Sequence, residues 1–191
     1  MINKTIHIPN IAEYEKAARV LKEEGIVAYP TEGVYGLGCS PFSENAIKKL
    51  LHLKNRAVDK GFILIAADFT QIEPLLKTLP AERLKSILAT WPGPVSWAWP
   101  KSAEVPAYIH GDWNSVVVRV SAHPIVQELC QHFGGPLVST SANHQGEEPC
   151  KNAEEVQMRF DTAVDYILTG AVGGLKKSTP IFDALTGKQL R

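Results

Sequence analysis

The sequence predicts an α/β fold with a parallel or mixed sheet in a single domain, residues 1–191. Short apolar runs typical of buried strands alternate with segments whose apolar residues recur at helical spacing. The chain has 191 residues, which is a usual size for one domain. Hydrophobic residues make up 45% of it and charged residues 21%, as in an ordinary globular protein that needs no disulfide or metal to fold.

Helices are predicted from capping residues followed by apolar residues on one face. Asn10 and Glu13 form the capping box of a first helix, and Gly25 is expected to end it as the residue after the cap. Later helices are expected from Ser43, from Asp68 to Pro80, from Pro124, and over Asn152–Phe160.

Strands are predicted where short runs of apolar and β-branched residues occur. These runs are Ile26–Tyr29, Phe62–Ala66, Val95–Trp99, Val116–Val120, Leu137–Thr140 and Ala163–Leu168. The glycine-rich stretch Gly170–Leu175, with Lys176 and Lys177 after it, is expected to be a mobile loop.

Charge and cysteine content exclude several classes of protein. Twenty basic and twenty acidic side chains give a net charge of zero, which excludes a strongly basic nucleic-acid-binding protein but permits a local basic patch. The longest apolar run, Phe62–Ala67, is far shorter than the roughly 18 residues of a membrane span, and Met1–Asn10 has no signal-peptide pattern. Three widely spaced cysteines are expected to be reduced thiols in a cytoplasmic protein, with no metal site.

Ligands of α/β sheets bind in the loops at the carboxyl ends of strands, and the first such segment is Tyr29–Gly38. Its glycines would allow the backbone to approach a ligand closely. It matches neither the phosphate-binding loop nor the dinucleotide fingerprint. A plain glycine-rich turn is the alternative interpretation.

The second segment holds three cations, Lys54, Arg56 and Lys60. Lys54 is in phase with the apolar face of its helix, so it either extends along the surface at the helix end or points into a cleft. Arg56 could hold a phosphate with two parallel hydrogen bonds, which a lysine cannot do.

The third and fourth segments follow the later strands. Arg119 interrupts the apolar run Ser115–Val120, where a buried arginine needs an anion: either a structural Asp or Glu, or a substrate carboxylate or phosphate. The loop Ser139–Asn143 could cap the next element or hold a nucleotide. No Ser–His–Asp set accompanies Ser141, so a serine nucleophile is not expected. Together the segments suit an anionic, phosphate-bearing ligand.

These segments, in this order, resemble the YrdC-like (Sua5/YrdC/TsaC) family of threonylcarbamoyl-AMP synthases over about residues 8–187. The matching motifs are Pro30–Gly38, Lys54-x-Arg56 with Ser141-x-Asn143, Trp91–Pro94, Val118-Arg119 with His123-Pro124, Ser178-Thr179, and Asp183–Gly187. Ala57, Gly33, Ile65 and Pro180 depart from the family pattern.

The resemblance implies a twisted mixed sheet with flanking helices and a concave basic cleft. It implies that L-threonine, bicarbonate or CO2, and ATP with Mg²⁺ give threonylcarbamoyl-AMP and pyrophosphate. Partner proteins of the tRNA threonylcarbamoyl-transfer complex would then pass the group to adenosine 37 of tRNA, and the basic face would bind RNA.

The resemblance also implies roles for residues at the matching positions. Lys54 and Arg56 would be catalytic, and Thr31 and Arg119 would hold threonine, with Arg119 on its carboxylate. The nucleotide would be surrounded by Lys54, Arg56, Lys60, Ser115, Ser139, Ser141 and Asn143. The matched segments offer no general base. Replacing Lys54 or Arg56 is expected to leave the fold intact and the melting temperature almost unchanged, since these side chains are not part of the core.

Two other functions remain open at this point. One is a non-catalytic protein that binds tRNA or double-stranded RNA in RNA or ribosome maturation, through phosphate contacts and shape. The other is a carbamoyl hydrolase or transferase on the same fold, although the zinc-finger cysteines of hydrogenase-maturation relatives are missing from the sequence.

Overall fold

A computed structural model describes residues 7–56, 58–176 and 178–191. Ala57 and Lys177, both singled out above, lie outside the described residues, as do residues 1–6. The helices are α1 Ile11–Lys22, α2 Glu44–Lys54, α3 Ala81–Leu88, α4 Ala107–His110, α5 Pro124–Phe133 and α6 Ala153–Phe160. The strands are β1 Val27–Pro30, β2 Tyr35–Cys39, β3 Ile63–Ala66, β4 Ser96–Pro100, β5 Ser115–Val120, β6 Leu137–Ser141, β7 Tyr166–Ile167 and β8 Ile181–Asp183.

The eight strands form one mixed sheet in the order β7-β1-β2-β6-β3-β5-β4-β8. Three neighbouring pairs are parallel (β1 with β7, β3 with β5, β4 with β8), and the other four are antiparallel. The predicted α/β class with a mixed sheet is confirmed.

Helices cover the two faces of the sheet unequally. One face packs against α2, α3, α4 and α6 through a large apolar core that includes Leu50, Leu64 and Trp99. The other face packs against α1 and α5 through a smaller core that includes Leu21 and Ile65. Of the described residues, no helix has the length and apolar character that a membrane crossing requires.

Most predicted caps occur as expected, with one shift at the end of α1. Asn10 and Glu13 form the reciprocal capping box, Ser43 and Asn152 cap α2 and α6, and Pro124 occupies the first turn of α5. The left-handed residue after α1 is Glu24, with φ of 62°, and not Gly25. The Gly25 N–H instead closes the turn on the Val20 carbonyl at 2.8 Å.

The helix predicted between Asp68 and Pro80 is wrong. Asp68 does cap a turn, but the chain forms two short 3₁₀ turns, Phe69–Gln71 and Glu73–Leu75. Pro74 cannot donate the backbone hydrogen bond that a continuing α-helix requires. Pro80 is the N-cap of α3 and not the end of a helix.

Two of the predicted segments need correction, and three further elements were not predicted. The predicted strand Ala163–Leu168 is reduced to β7, Tyr166–Ile167, because Asp161–Ala163 is a 3₁₀ turn. The segment Tyr29–Gly38, predicted to be a loop, is mostly the antiparallel hairpin of β1 and β2. Helices α3 and α4 and strand β8 were not predicted.

Candidate functional site

On the sheet face that packs against α1 and α5, one end is only half-buried, and we call this end the open face; it carries Ile63, Ser115, Val117 and Ser141. Directly paired residues share a face of a sheet, so the pairing of Ile63 with both Ser139 and Val117 places all three together. Ser115 and Ser141 lie on the same face, two residues along their strands. Ile63, Ser115, Val117 and Ser141 remain half-buried, whereas Ser139 is buried.

The four predicted ligand-binding segments do not meet at one edge of the sheet. β6 runs antiparallel to β3, so the carboxyl end of β6, with Ser141, adjoins the beginnings of β3 and β5. Arg119 lies towards the other end of β5, paired with Ile65. The rule for parallel sheets therefore fails here, and the segments are joined across the open face.

Lys54 connects the end of α2 to the loop after β6. Its Nζ donates hydrogen bonds to the Ser141 carbonyl at 2.6 Å, the Asn143 carbonyl at 2.5 Å and the Asn143 Oδ1 at 3.0 Å. The residue is only 5% exposed. Burial, together with the charge of Arg56 nearby, lowers the pKa of the ammonium to about 8. Lys54 is thus hydrogen-bonded directly to the loop that contains Ser141 and Asn143.

The side chain of Asn143 is occupied within its own loop. Oδ1 accepts hydrogen bonds from Lys54 and from the Ser141 hydroxyl, the latter at 2.6 Å. Nδ2 donates to the carbonyls of His144 and Glu147 at 2.8 and 2.9 Å. Asn143 and Lys54 therefore fix the shape of the loop, and a ligand there would meet a preformed surface.

Arg56 lies just before β3, at the same end of the sheet. Its Nη2 donates to the Gly61 carbonyl at 2.8 Å, and its guanidinium lies over the Phe62 ring, 5.4 Å from the centroid. Nε is buried and has no hydrogen-bond acceptor among the described residues. Desolvation lowers the pKa of Arg56. Lys60 is exposed in the next turn.

Thr31 turns back from the end of β1 over the open face. Its hydroxyl donates to the Val34 carbonyl at 2.8 Å. A Cβ added at Gly36 would lie 3.3 Å from Thr31 Cγ2 and 3.4 Å from Ser139 Oγ. At Gly38 an added Cβ would lie 2.7 Å from the Tyr29 ring. The space above these glycines is thus taken by Tyr29 and Thr31, and not left for a ligand.

Arg119 has a structural partner that the sequence alone did not identify. Its Nη2 lies 3.2 Å from Oε2 of Glu32, which follows Thr31. Its Nη1 donates to the Thr179 hydroxyl at 3.0 Å. Both residues of the ion pair are buried. The motif Pro30-Thr-Glu could have suggested Glu32, the acidic residue of that segment.

The C-terminal segment completes this part of the face. Thr179 is buried beside Ser96 on β4, and Arg191 donates from Nη2 to the Thr179 carbonyl at 3.0 Å. Sequence analysis did not select Arg191. Its guanidinium lies near that of Arg119. Burial is the main cause that lowers the pKa of Arg191, and repulsion from Arg119 lowers it further.

The glycine-rich stretch packs against the β1–β2 turn. Gly173 N–H donates to the Thr31 carbonyl at 3.0 Å, and Leu175 N–H donates to the Glu32 carbonyl at 2.8 Å. A Cβ at Gly33 would lie 2.8 Å from the Leu175 carbonyl oxygen. The mobility of this loop stays a prediction, as does the basic character of the cleft.

The described residues form neither a disulfide nor a cluster of metal ligands. Cys39, Cys130 and Cys150 are buried and unbridged. In the part of the chain that the structure describes, no three His, Cys, Asp or Glu side chains are grouped so that they could hold a metal ion.

Curated relatives match almost the whole chain. A threonylcarbamoyl-AMP synthase of Coxiella burnetii is 45% identical over 175 residues, covering 92% of this chain and 94% of the relative. One of Yersinia enterocolitica is 47% identical over 184 residues, covering 95% and 96%.

Solved structures share the fold. P. abyssi Sua5 complexed with L-threonine is 32% identical with a TM-score of 0.86, covering 93% of this chain and 52% of that one. The chain thus spans about half the length of that protein. E. coli YciO, 23% identical with a TM-score of 0.80 over 97% of this chain and 90% of that one, has the same fold. The Sua5/YciO/YrdC family profile, described as "Telomere recombination", matches residues 19–191, and the chain belongs to this family.

Proposed function

We propose that this protein is a threonylcarbamoyl-AMP synthase, which makes threonylcarbamoyl-AMP and pyrophosphate from L-threonine, bicarbonate or CO2, and ATP. The observation that carries the proposal is the arrangement of one sheet face. Buried Arg119 lies near the Thr31 turn, and the loop tied by Lys54 lies at the other end. The names of the curated relatives support the same activity.

The reaction brings together two anions, the carbamate and the triphosphate of ATP. Cationic side chains are therefore needed to offset their charge. The threonine amine adds to CO2 and loses a proton to give a carbamate. A carbamate oxygen then attacks the α-phosphorus of ATP, and the bond to the leaving pyrophosphate breaks. Positioning the reactants and offsetting their charge would supply most of the catalysis.

We assign the threonine site to Thr31 and Arg119. Arg119 has a fixed guanidinium, because Thr179 and Glu32 hold it from two sides. Its Nε has no acceptor among the described residues, so a substrate carboxylate would find a donor there. The L-threonine complex of P. abyssi Sua5 supports a threonine site on this fold.

We assign the nucleotide to the end of the sheet where β6 ends and β3 and β5 begin. Arg56 has a buried Nε without an acceptor in the described chain, and it would contact the phosphates with Lys60. Lys54 would contribute its charge and hold the loop in shape. The remaining nucleotide contacts are assigned to Ser115, Ser139, Ser141 and Asn143.

Mg²⁺ would accompany the triphosphate. Mg²⁺ keeps several waters and binds nucleotides through phosphate oxygens with few protein ligands, and the described residues include no cluster of three metal-binding side chains. The ion would offset phosphate charge, while the residues named above bind and orient the substrates.

The later steps are also proposals. We place the protein in the cytoplasm, where ATP, threonine and tRNA occur together. Its product would pass to proteins of the tRNA threonylcarbamoyl-transfer complex for modification of adenosine 37. Binding of tRNA by this chain would use phosphate contacts at the rim, where Lys60 is exposed.

Pyrophosphate release from ATP tests the proposed function. We expect release only when threonine and bicarbonate are both present, and we expect the adenylate product by mass spectrometry. Reactions lacking threonine or bicarbonate are the controls. Pyrophosphate release that does not depend on threonine, or does not depend on bicarbonate, would reject the proposal. Binding of tRNA without any pyrophosphate release would favour the non-catalytic RNA-binding alternative.

A further inference from the structure

We propose that Glu32 binds the α-ammonium group of the amino-acid substrate, so that Glu32 and Arg119 together select a zwitterion. The inference rests on the proposed function and assigns a specificity role to a residue that the motif analysis passed over. It begins from two unpaired hydrogen-bonding atoms, one on each side chain of the Arg119–Glu32 ion pair.

One oxygen of Glu32 is fixed and the other is free to accept. Oε1 accepts hydrogen bonds from the Ser121 hydroxyl at 2.7 Å and from the Ala122 N–H at 3.3 Å. Oε2 lies 3.2 Å from Arg119 Nη2, yet no donor in the described chain is aligned for a hydrogen bond with it. The turn after β5 therefore orients the carboxylate through Oε1, and Oε2 accepts no hydrogen bond from the described residues.

Arg119 has an unpaired donor that complements the unpaired Oε2 of Glu32. Nη1 is occupied by Thr179, but Nε is buried without an acceptor in the described residues. Buried polar groups are normally paired, so an unpaired acceptor and an unpaired donor in one ion pair point to a ligand that pairs with both. An α-amino acid carries a donor ammonium and an acceptor carboxylate on one carbon, which matches this pair.

Charge balance favours a zwitterion over an anion. Arg119 and Glu32 already neutralise each other, so a bound carboxylate without an amine would leave one uncompensated charge in a buried site, which is costly. A zwitterion adds no net charge. The two unpaired atoms are themselves buried, while 8% of the Arg119 side chain and 12% of the Glu32 side chain stay exposed.

The alternative is that Glu32 only holds Arg119 in place. Both roles predict weaker threonine binding when Glu32 is replaced, but they differ for a ligand without the amine. 3-Hydroxybutyrate keeps the carboxylate and the β-hydroxyl of threonine and lacks the ammonium. Glu32→Gln removes the negative charge that opposes a bound carboxylate, so 3-hydroxybutyrate should bind as well as before or more tightly.

Calorimetric titration of each ligand into the whole protein tests the proposal. We expect the wild type to prefer L-threonine over 3-hydroxybutyrate by about 10- to 100-fold, the range of a charge-assisted hydrogen bond. In Glu32→Gln the preference should fall to about 1, with ATP affinity unchanged. Glu128→Gln is the matched control, because Glu128 is half-exposed on α5, 3.8 Å from His132, and should keep the wild-type preference.

Three outcomes would overturn the proposal. Equal weakening of both ligands in Glu32→Gln would mean that Glu32 acts only through Arg119. An unchanged preference would mean that it has no role in amine binding. A wild type that binds both ligands equally would reject the proposal without any variant, should Glu32→Gln not fold.

A second variant probes the orientation of Glu32. Ser121→Ala removes the 2.7 Å hydrogen bond and should partly reduce the preference for threonine over 3-hydroxybutyrate. An unchanged preference would count against a fixed carboxylate.

Failure of the proposed function has a different readout: it would appear as pyrophosphate release that does not require threonine. Intact release with no amine preference would reject this inference alone.

Discussion

Arg119 on β5 and Glu32 in the β1–β2 turn form a buried ion pair, 3.2 Å between Nη2 and Oε2, that joins two distant segments of the chain across the open face. The pair explains how an arginine is accommodated in the apolar strand Ser115–Val120. Its Glu32 carboxylate is also held by Ser121, so removal of either charge leaves the other in place and uncompensated.

Arg119→Met should weaken threonine far more than ATP, because it removes the cation proposed for the threonine carboxylate. It should also lower the free energy of unfolding by about 3–5 kcal/mol, since Glu32 is left buried and unpaired. Titration of each ligand and denaturant unfolding measure the two effects.

Arg119→Met/Glu32→Gln separates those effects. The double variant should recover much of the lost stability without recovering threonine binding. Equal weakening of threonine and ATP in the single variant would contradict the threonine assignment.

Lys54→Met should destabilise the protein, in contrast to the sequence-based expectation of an intact fold with unchanged stability. The variant leaves the carbonyls of Ser141 and Asn143 without their donor, and an unsatisfied buried acceptor costs about 1–3 kcal/mol. Lys48→Met is the matched control on the same helix, because Lys48 is exposed and forms a surface ion pair with Glu44. Equal melting temperatures for the two variants would contradict the structural role.

ATP affinity should decrease as the pH rises from 7 to 9. The Lys54 pKa of about 8 means that the ammonium is charged below this pH and loses its proton above it. A bound triphosphate favours the charged form, so binding near pH 8 should take up a proton. Calorimetry in buffers of different ionisation enthalpy measures that uptake. The same pH dependence in Lys54→Met would contradict the assignment.

Arg56→Lys should not preserve catalysis. A lysine keeps the charge but loses the planar fork that contacts Gly61 and could reach a phosphate. We expect turnover at saturating substrates to fall by about 10²- to 10³-fold, as for the loss of a preorganised charge-stabilising group. Arg19→Lys, on the exposed side of α1, is the control, and near-normal turnover of Arg56→Lys would reject a catalytic role for the guanidinium.

Binding of tRNA should be electrostatic and fall steeply with salt, because it would depend on phosphate contacts. Lys60→Ala should reduce the slope of log affinity against log salt by about 1. Lys85→Ala, exposed on α3, should leave the slope unchanged. Affinity that is independent of salt would contradict the proposed phosphate contacts.

Local sequence signals predicted most of the elements. Capping residues such as Asn10, Ser43 and Asn152 located helix starts, since a cap is made within a few residues. The failure between Asp68 and Pro80 has a local cause as well: proline can follow one helix or begin the next, and Pro80 begins α3.

The ordered motifs of the sequence were sufficient to indicate the family. The phase of Lys54 on its helix allowed a side chain directed either along the surface or inward, and the structure has it buried. The sequence could not tell which acidic residue meets Arg119, or that Lys54 binds the loop of Ser141 and Asn143. Those contacts depend on β6 running antiparallel to β3 and on the Thr31–Glu32 turn folding over the sheet. Strand order and direction are set by packing between segments far apart in the chain, so only the tertiary structure decided how these charges are paired.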